Sequence, residues 1–151
     1  MGFWNMLRIG SSALSAQRLR LDLISNNIAN IETTSTEEGG PYRRQDVRFK
    51  SQENDPNFSQ LINSQIPFAD SHQLGRGGVA VETIIEDDTQ GPRVYDPSHP
   101  DADEDGYVEY PNVDLAVEMT NMLSATRSYE ANLTVISAAK RMALKSLEIG
   151  R

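Results

Sequence analysis

Residues 111–151 carry a continuous helical pattern. Ten positions in this segment are spaced alternately four and three apart, and eight of them are apolar or aromatic. Such spacing is typical of a helix that packs lengthwise against another helix. The helix is predicted to begin after Pro111, with Asn112 or Asp114 as its N-cap, and to end before Gly150. The predicted seam comprises Leu115, Met119, Met122, Thr126, Tyr129, Leu133, Ile136, Lys140, Ala143 and Leu147.

A second helix is predicted near the N-terminus, over residues 5–31. Apolar residues recur there at helical spacing, most regularly from Leu21 onward. The segment ends with three Asn within residues 26–30, although Asn is a poor helix former. One interpretation is a fraying helix end capped by Asn. The other is that Asn26 and Asn30, four apart, bond across a helix–helix interface and set its register, as buried Asn does in coiled coils.

The segment between these helices predicts a small, mostly antiparallel β unit. Short runs rich in β-branched and aromatic residues alternate with charged residues and are bounded by Gly and Pro. Residues 51–78 are polar and predict a long loop with one short helical turn near Phe58 to Ile62. The fold class that follows is α+β, with the β unit inserted between two long terminal helices that suit pairing with each other or with copies of themselves. The predicted strands are 42–50, 79–85, 92–97 and 106–110.

Charge is distributed unevenly along the chain. The formal net charge is -8, yet residues 1–31 carry +2 and residues 111–151 carry +1, so residues 32–110 carry -11. A basic footprint for nucleic acid is therefore missing. No apolar run approaches the length of a membrane span, and the first residues lack the apolar core of a secretory signal. An amphipathic, Arg- and Ser-containing transit peptide stays open as an alternative, and the absence of cysteine excludes disulfides.

One segment has the composition of a metal site. Residues 101–106 match the D-x-D-x-D-G opening of a calcium loop, but the twelfth position is Asn112, where a bidentate Glu is required. A weak calcium site and an Asp-rich turn with Gly106 at positive φ are the two interpretations. His72 and His99 lack metal-ligand spacing, and the Ser residues lack a nucleophile context. We therefore predict no cofactor and no enzyme.

Four segments resemble the axial proteins of the bacterial flagellum, which build its rod and hook. SALSAQRLRLDLISNNIAN is similar to the Asn-rich N-terminal signature of the whole axial family. The other three are similar to proximal rod proteins rather than to the longer distal-rod or hook proteins. They are EGGPYRR at 38–44, YDPSHPDADEDGYVEYPNVD at 95–114 and EMTNMLSATRSYEANLTVISAAKRMALKSLEI at 118–149.

The resemblance implies a structural subunit of the basal-body rod. Such subunits assemble helically into the hollow drive shaft that transmits motor torque, and motility requires them. The implied location is the rod spanning the periplasm, reached through the flagellar type III export apparatus without a cleaved signal peptide. The implied partners are the rod subunits FlgB, FlgF and FlgG, the rod–ring adaptor FliE, copies of the chain itself and the export apparatus. Neither nucleic acid nor membrane insertion is implied.

The resemblance also implies domains and an assembly interface. Residues 1–35 would be the N-terminal assembly helix and 36–110 the outer β-rich domain. Residues 111–151 would be the C-terminal assembly helix, which packs with the first helix and with neighbouring subunits. A calcium-binding module explains only the acidic loop, and a cell-wall hydrolase would need a placed carboxylate pair and a cleft. The predicted interface residues are Leu14, Leu21, Ile24, Asn26, Asn27, Ile28, Asn30, Leu115, Met119, Met122, Tyr129, Asn132, Leu133, Ile136 and Leu147.

Overall fold

Two long helices with two small sheets between them make up the protein in a computed structural model. The structure describes residues 3–37, 39–52 and 77–149. Its layout confirms the predicted α+β class, with the helices at the two ends of the chain. The elements in chain order are α1 (Phe3–Ala29), β1 (Gln45–Ser51), β2 (Val79–Glu86), β3 (Arg93–Tyr95), β4 (Tyr107–Glu109) and α2 (Leu115–Ile149).

The start of α2 is set by a single side chain. Asp114 Oδ1 accepts hydrogen bonds from the backbone N–H groups of Ala116 at 2.8 Å and Val117 at 3.1 Å. These are two of the N–H groups that a helix leaves without an internal partner, so Asp114 is the N-cap. The helix runs for 35 residues, which at 1.5 Å per residue is a length of about 52 Å. Within the described residues, neither helix has an apolar stretch long enough to cross a bilayer.

Both sheets are two-stranded and antiparallel. Strands β1 and β2 pair with Gln45 opposite Glu86, and a bulge follows Arg48. Strands β3 and β4 form a separate hairpin. All four predicted strands are confirmed, although the first begins at Gln45 rather than Tyr42. The helical turn predicted near Phe58 to Ile62, and most of the predicted loop 51–78, lie outside the described residues.

The core lies where α1 packs against α2 and against both strands of the β1–β2 sheet. Small residues dominate the contact between the helices. A Cβ atom added to Gly10 would lie 2.8 Å from Cγ1 of Ile136, which is shorter than van der Waals contact. The helix axes therefore approach closely at this point. The buried hydrophobic side chains are Ala16, Leu23, Ile24, Val108, Ala125 and Ala139.

Candidate assembly site: a buried polar junction and two exposed helix faces

Polar side chains are buried where the C-terminal end of α1 meets β1 and α2. Asn27 is 0% exposed. Its Nδ2 donates to the carbonyl oxygen of Gln45 at 2.8 Å and to Oε2 of Glu118 at 3.2 Å. Its Oδ1 accepts from the backbone N–H of Gln45 at 2.9 Å and from the hydroxyl of Tyr42 at 3.0 Å. All four hydrogen-bonding positions of this carboxamide are therefore used, and they join three segments of the chain.

Glu118 is the charged member of this cluster, and it is also 0% exposed. Its Oε1 accepts from both Nε and Nη2 of Arg44 at 2.9 Å. A buried carboxylate without a cation would be strongly destabilising, and the planar guanidinium supplies both charge and directed donors. Burial raises the pKa of Tyr42, with a smaller contribution from the charges of Glu86 and Glu118. The Tyr42 hydroxyl therefore keeps the proton that it donates. We define the buried polar junction as Asn27, Tyr42, Arg44, Gln45 and Glu118.

The two Asn residues singled out from the sequence lie beside this junction rather than in it. The side chain of Asn26 is exposed. The Nδ2 of Asn30 donates to the carbonyl oxygen of Asn26 at 2.9 Å, within the same helix end. Within one chain these contacts match the capping interpretation. A contact of either side chain across an interface between subunits stays a prediction, and Asn27 makes the bonds between the helices inside the chain.

The sequence pattern did not single out the partners of Asn27. Neither Glu118 nor Arg44 is among the interface residues predicted from the sequence. Glu118 lies 91 positions from Asn27 and 74 from Arg44. The one available signal is that Glu118 lies within a predominantly apolar helix, directly before a predicted seam residue.

The face of α2 that packs on α1 differs from the predicted seam by one position. Glu118, Ala125 and Ala139 are fully buried, and they directly precede seam residues that are not. Small side chains allow the close approach of the two helices, so they occupy the contact in place of larger neighbours. Within the chain, half of the predicted seam is partly covered. That half comprises Met122, Thr126, Tyr129, Ile136 and Ala143, whereas Leu115, Met119, Leu133, Lys140 and Leu147 are exposed.

Large apolar side chains of α2 are exposed on both sides of its contact with α1. With each residue turning the helix by about 100°, these side chains fall into two rows. The rows flank the face of Glu118, Ala125 and Ala139 on opposite sides. Stripe A comprises Leu115, Met119, Leu123, Leu133 and Leu144, and stripe B comprises Val117, Val135 and Met142.

A third apolar surface lies at the end of the helix pair away from the junction. It is an open groove of about 610 Å³ between the first turns of α1 and the last turns of α2. Trp4, beside Phe3, is 81% exposed. The described part of the chain therefore leaves three apolar surfaces uncovered, of which the groove and stripe B share Met142. The groove is lined by Phe3, Met6, Ala139, Met142, Ala143, Ser146 and Leu147.

The structure distributes the predicted interface residues over covered and uncovered positions. Ile24 and Asn27 are buried within the chain. The half-buried ones are Leu14, Leu21, Ile28, Asn30, Met122, Tyr129, Asn132 and Ile136. The exposed ones are Asn26, Leu115, Met119, Leu133 and Leu147.

The acidic loop is organised by hydrogen bonds of its own. Asp103 Oδ1 accepts from the backbone N–H groups of Asp105 at 3.0 Å and Tyr107 at 2.9 Å, and its other oxygen pairs with Arg93. The bond from Tyr107 is the main cause that lowers the pKa of Asp103. Gly106 has a φ of 79°, as the turn interpretation requires. In the described parts of the chain, His, Asp and Glu form no group of three that could hold a metal ion.

Two protein-family models match the parts of the chain that contain the two helices. The model of the family described as flagella basal body rod protein matches residues 7–35, which include most of α1. The model described as flagellar basal body rod FlgEFG protein C-terminal matches residues 104–149, which include β4 and α2. The two matched regions are therefore the same two that form the packed helices.

Full-length relatives decide the family. The chain is 45% identical to the flagellar basal-body rod protein FlgC of Bacillus subtilis, and all of both chains is covered. It is 45% identical to FlgC of Borreliella burgdorferi, covering 99% of this chain and 98% of the relative. It is 38% identical to FlgC of Salmonella typhimurium, again over all of both chains. The chain belongs to the FlgC family of flagellar basal-body rod proteins. It is thus a structural subunit of the flagellar rod, and its role is in motility.

Proposed function

We propose that this chain is a proximal-rod subunit whose two helices pack side by side with those of neighbouring subunits. The neighbours are copies of itself and the rod subunits FlgB, FlgF and FlgG, with the adaptor FliE at the membrane ring. The assembled helices form the wall of a hollow shaft that spans the periplasm and transmits torque. The chain reaches that position unfolded through the flagellar export apparatus, and its role is mechanical rather than catalytic.

The observation that carries this proposal is the pair of exposed apolar stripes on α2. Large apolar side chains that are exposed in rows along a helix suit burial against a neighbouring chain. Burying each large apolar side chain stabilises a complex by about 1.5–3 kcal/mol. Because the stripes lie on opposite sides of the α1 contact, one neighbour cannot cover both through a single flat contact. Two different contacts on one subunit are what an open helical assembly needs.

The predicted domain division suits this arrangement. The terminal helices carry the apolar surfaces, and the acidic residues are concentrated in the segment 36–110 between them. We propose that the helices form the inner wall domain and that the β-rich segment faces outward. Charge keeps the outer surface hydrated, while the helices are covered by neighbours.

Single charges placed in the stripes test the proposal. Met119→Glu and Leu133→Glu interrupt stripe A, and Val135→Glu interrupts stripe B. We expect each variant to lose rod assembly and motility in cells that lack the wild-type chain. The melting temperature of the purified variant should stay close to that of the wild type, because all three side chains are exposed within the chain.

The matched control is Thr120→Glu, which adds the same charge next to Met119. Thr120 is exposed and lies on α2 between the two stripes. It should retain more motility than the three stripe variants. Wild-type rods from a Met119→Glu/Val135→Glu double variant would show that the stripes are not assembly surfaces, and the proposed packing would be wrong.

A further inference from the structure

The β1–β2 sheet and α2 both pack on α1, but the described residues place no strand of that sheet against α2. The Arg44–Glu118 ion pair therefore bridges α2 directly to the residue that precedes β1. Asn27 lies between them and bonds both Gln45 and Glu118. The buried polar junction is the place where all three elements meet.

Asn27 forms hydrogen bonds to β1 in the way that a residue of a neighbouring strand would. Its carboxamide donates to the carbonyl oxygen and accepts from the N–H of the same residue, Gln45. This is the hydrogen-bonding pattern of a ladder pair on an open strand edge. The Asn27 side chain therefore fixes the position of the start of β1 relative to α1. Water has no access to this side chain.

Hydrophobic contact is non-directional, and the buried apolar residues of the two helices are Ala16, Leu23, Ile24, Ala125 and Ala139. Apart from the junction, the sheet has, among the described residues, one directed bond to α1, which runs from the N–H of Val79 to Oγ of Ser12 at 3.1 Å. Hydrogen bonds require defined distances and angles. Six hydrogen bonds of 2.8–3.2 Å link Asn27 and Glu118 to each other and to three further residues, Tyr42, Arg44 and Gln45. Its geometry therefore permits far fewer relative orientations than the apolar contact does.

We propose that the buried polar junction is a positioning device, which sets the angle between the β1–β2 sheet and the helix pair. Asn27 anchors β1 to α1, and the Arg44–Glu118 pair anchors the same point to α2. A second step rests on the proposed function: the junction thereby sets where stripes A and B lie relative to the outer β unit. If the angle between the β1–β2 sheet and the helix pair could vary, a subunit would present its stripes correctly to one neighbour and incorrectly to the next.

The test separates positioning from stability. Replacing a buried ion pair by apolar residues of similar volume often leaves stability unchanged, whereas removing one partner alone does not. The double variant Arg44→Met/Glu118→Leu lacks the link between α2 and β1 and leaves one N–H of Asn27 without its acceptor, so its melting temperature should fall moderately, and less than that of Arg44→Met alone. The control is Lys145→Met/Glu148→Leu, which removes an exposed ion pair of 3.0 Å from the same helix.

The readout is a distance distribution in the purified full-length chain. The chain has no cysteine, so Glu82→Cys on β2 and Arg127→Cys on α2 accept two spin labels for pulsed electron paramagnetic resonance. We expect the distribution to broaden or shift in Arg44→Met/Glu118→Leu, beyond the spread of repeated wild-type measurements. It should stay unchanged in the control. A wild-type distribution in the stable double variant would overturn the proposal.

Two further arms complete the experiment. If the double variant does not fold, Arg44→Met/Glu118→Gln replaces it, because this pair of changes keeps a side-chain oxygen that accepts from Asn27 and removes both bonds from Arg44. A wild-type distribution in that variant overturns the proposal in the same way. In cells, we expect the double variant to lose motility although it stays folded at the growth temperature. Full motility with an altered distribution would overturn the link to assembly. The spin-label arm uses the isolated chain, so its outcome is independent of the stripe variants that test the proposed function.

Discussion

The contact between Gly10 and Ile136 allows a quantitative prediction about how the two helices pack. In an unconstrained helix interior, Gly→Ala is stabilising by about 1 kcal/mol. At Gly10 the new Cβ would lie 2.8 Å from Cγ1 of Ile136. Cγ1 is the middle of that side chain and not its flexible end, so either Ile136 leaves its preferred χ1 rotamer or the helices move apart. Overpacking of this kind costs about 1–3 kcal/mol.

The two effects have opposite signs, and their difference is the expected result. Gly10→Ala alone should lower the free energy of unfolding by about 0–2 kcal/mol. In an Ile136→Ala background the clashing atoms are absent, so the same change should raise it by about 1 kcal/mol. The coupling energy between the two positions is then about 1–3 kcal/mol, which is within the range measured for residues in contact.

Urea unfolding followed by circular dichroism of the wild type, both single variants and the double variant measures this coupling. Ser11→Ala, on the exposed side of α1, is the control for helix propensity without a contact to α2. An equal stabilisation by Gly10→Ala in both backgrounds would refute the reasoning. It would mean that α1 and α2 do not approach closely at this point in solution.

Three other outcomes are expected. Asp114→Ala should lower the free energy of unfolding by about 1 kcal/mol, because it removes an N-cap. Asp114→Asn should retain most of the stability that the cap contributes, measured in the same urea titration. Because folding lowers the pKa of Asp103, the ionised carboxylate stabilises the folded hairpin. This contribution is complete above the usual carboxyl pKa of 3.8 and is lost as pH falls through the lowered value. An acid titration of the Tyr107 amide resonance should show this loss in the wild type but not in Asp103→Asn. Calcium should not raise the melting temperature, and a rise that Asp103→Ala abolishes would revive the metal interpretation. Hydrogen exchange in the dilute monomer should be faster in α1 and α2 than in β2, because the exposed apolar side chains of the helices are covered only on assembly. Equal protection would contradict the expectation that assembly orders these helices.

The elements of this fold could be predicted because their signals are local. The four-and-three spacing and the Asp114 cap lie within α2 itself, and alternation within a few residues was enough for each strand. Element bounds differed from expectation by a few residues, as at β1, which begins at Gln45. Local chain chemistry decides where such elements form, and tertiary contacts decide only where they stop.

The rotation of α2 could not be predicted in the same way. Its apolar residues are spread around more than one face, so several seams of similar hydrophobicity are available. The choice between them depends on residues of the other helix, such as Gly10, which lets Ile136 approach closely. The residue pattern of one helix carries no information about the shape of the helix that packs against it. The same is true of the junction, whose side chains bond to residues between 15 and 91 positions away.

The two kinds of surface on this helix pair suit two different roles under the proposed function. Stripes A and B are apolar, and apolar contact tolerates small changes in angle between neighbours. A rod built from several kinds of subunit needs that tolerance, because its subunits do not all present the same helix. The junction is polar, its central side chains Asn27 and Glu118 are fully buried, and both are held by hydrogen bonds, so within a subunit it permits little variation. Adaptable contacts between subunits can produce a regular shaft only if each subunit keeps one internal shape. Asn27 and Glu118 are therefore expected to tolerate substitution less well than the larger apolar residues of stripes A and B, even by side chains of similar volume.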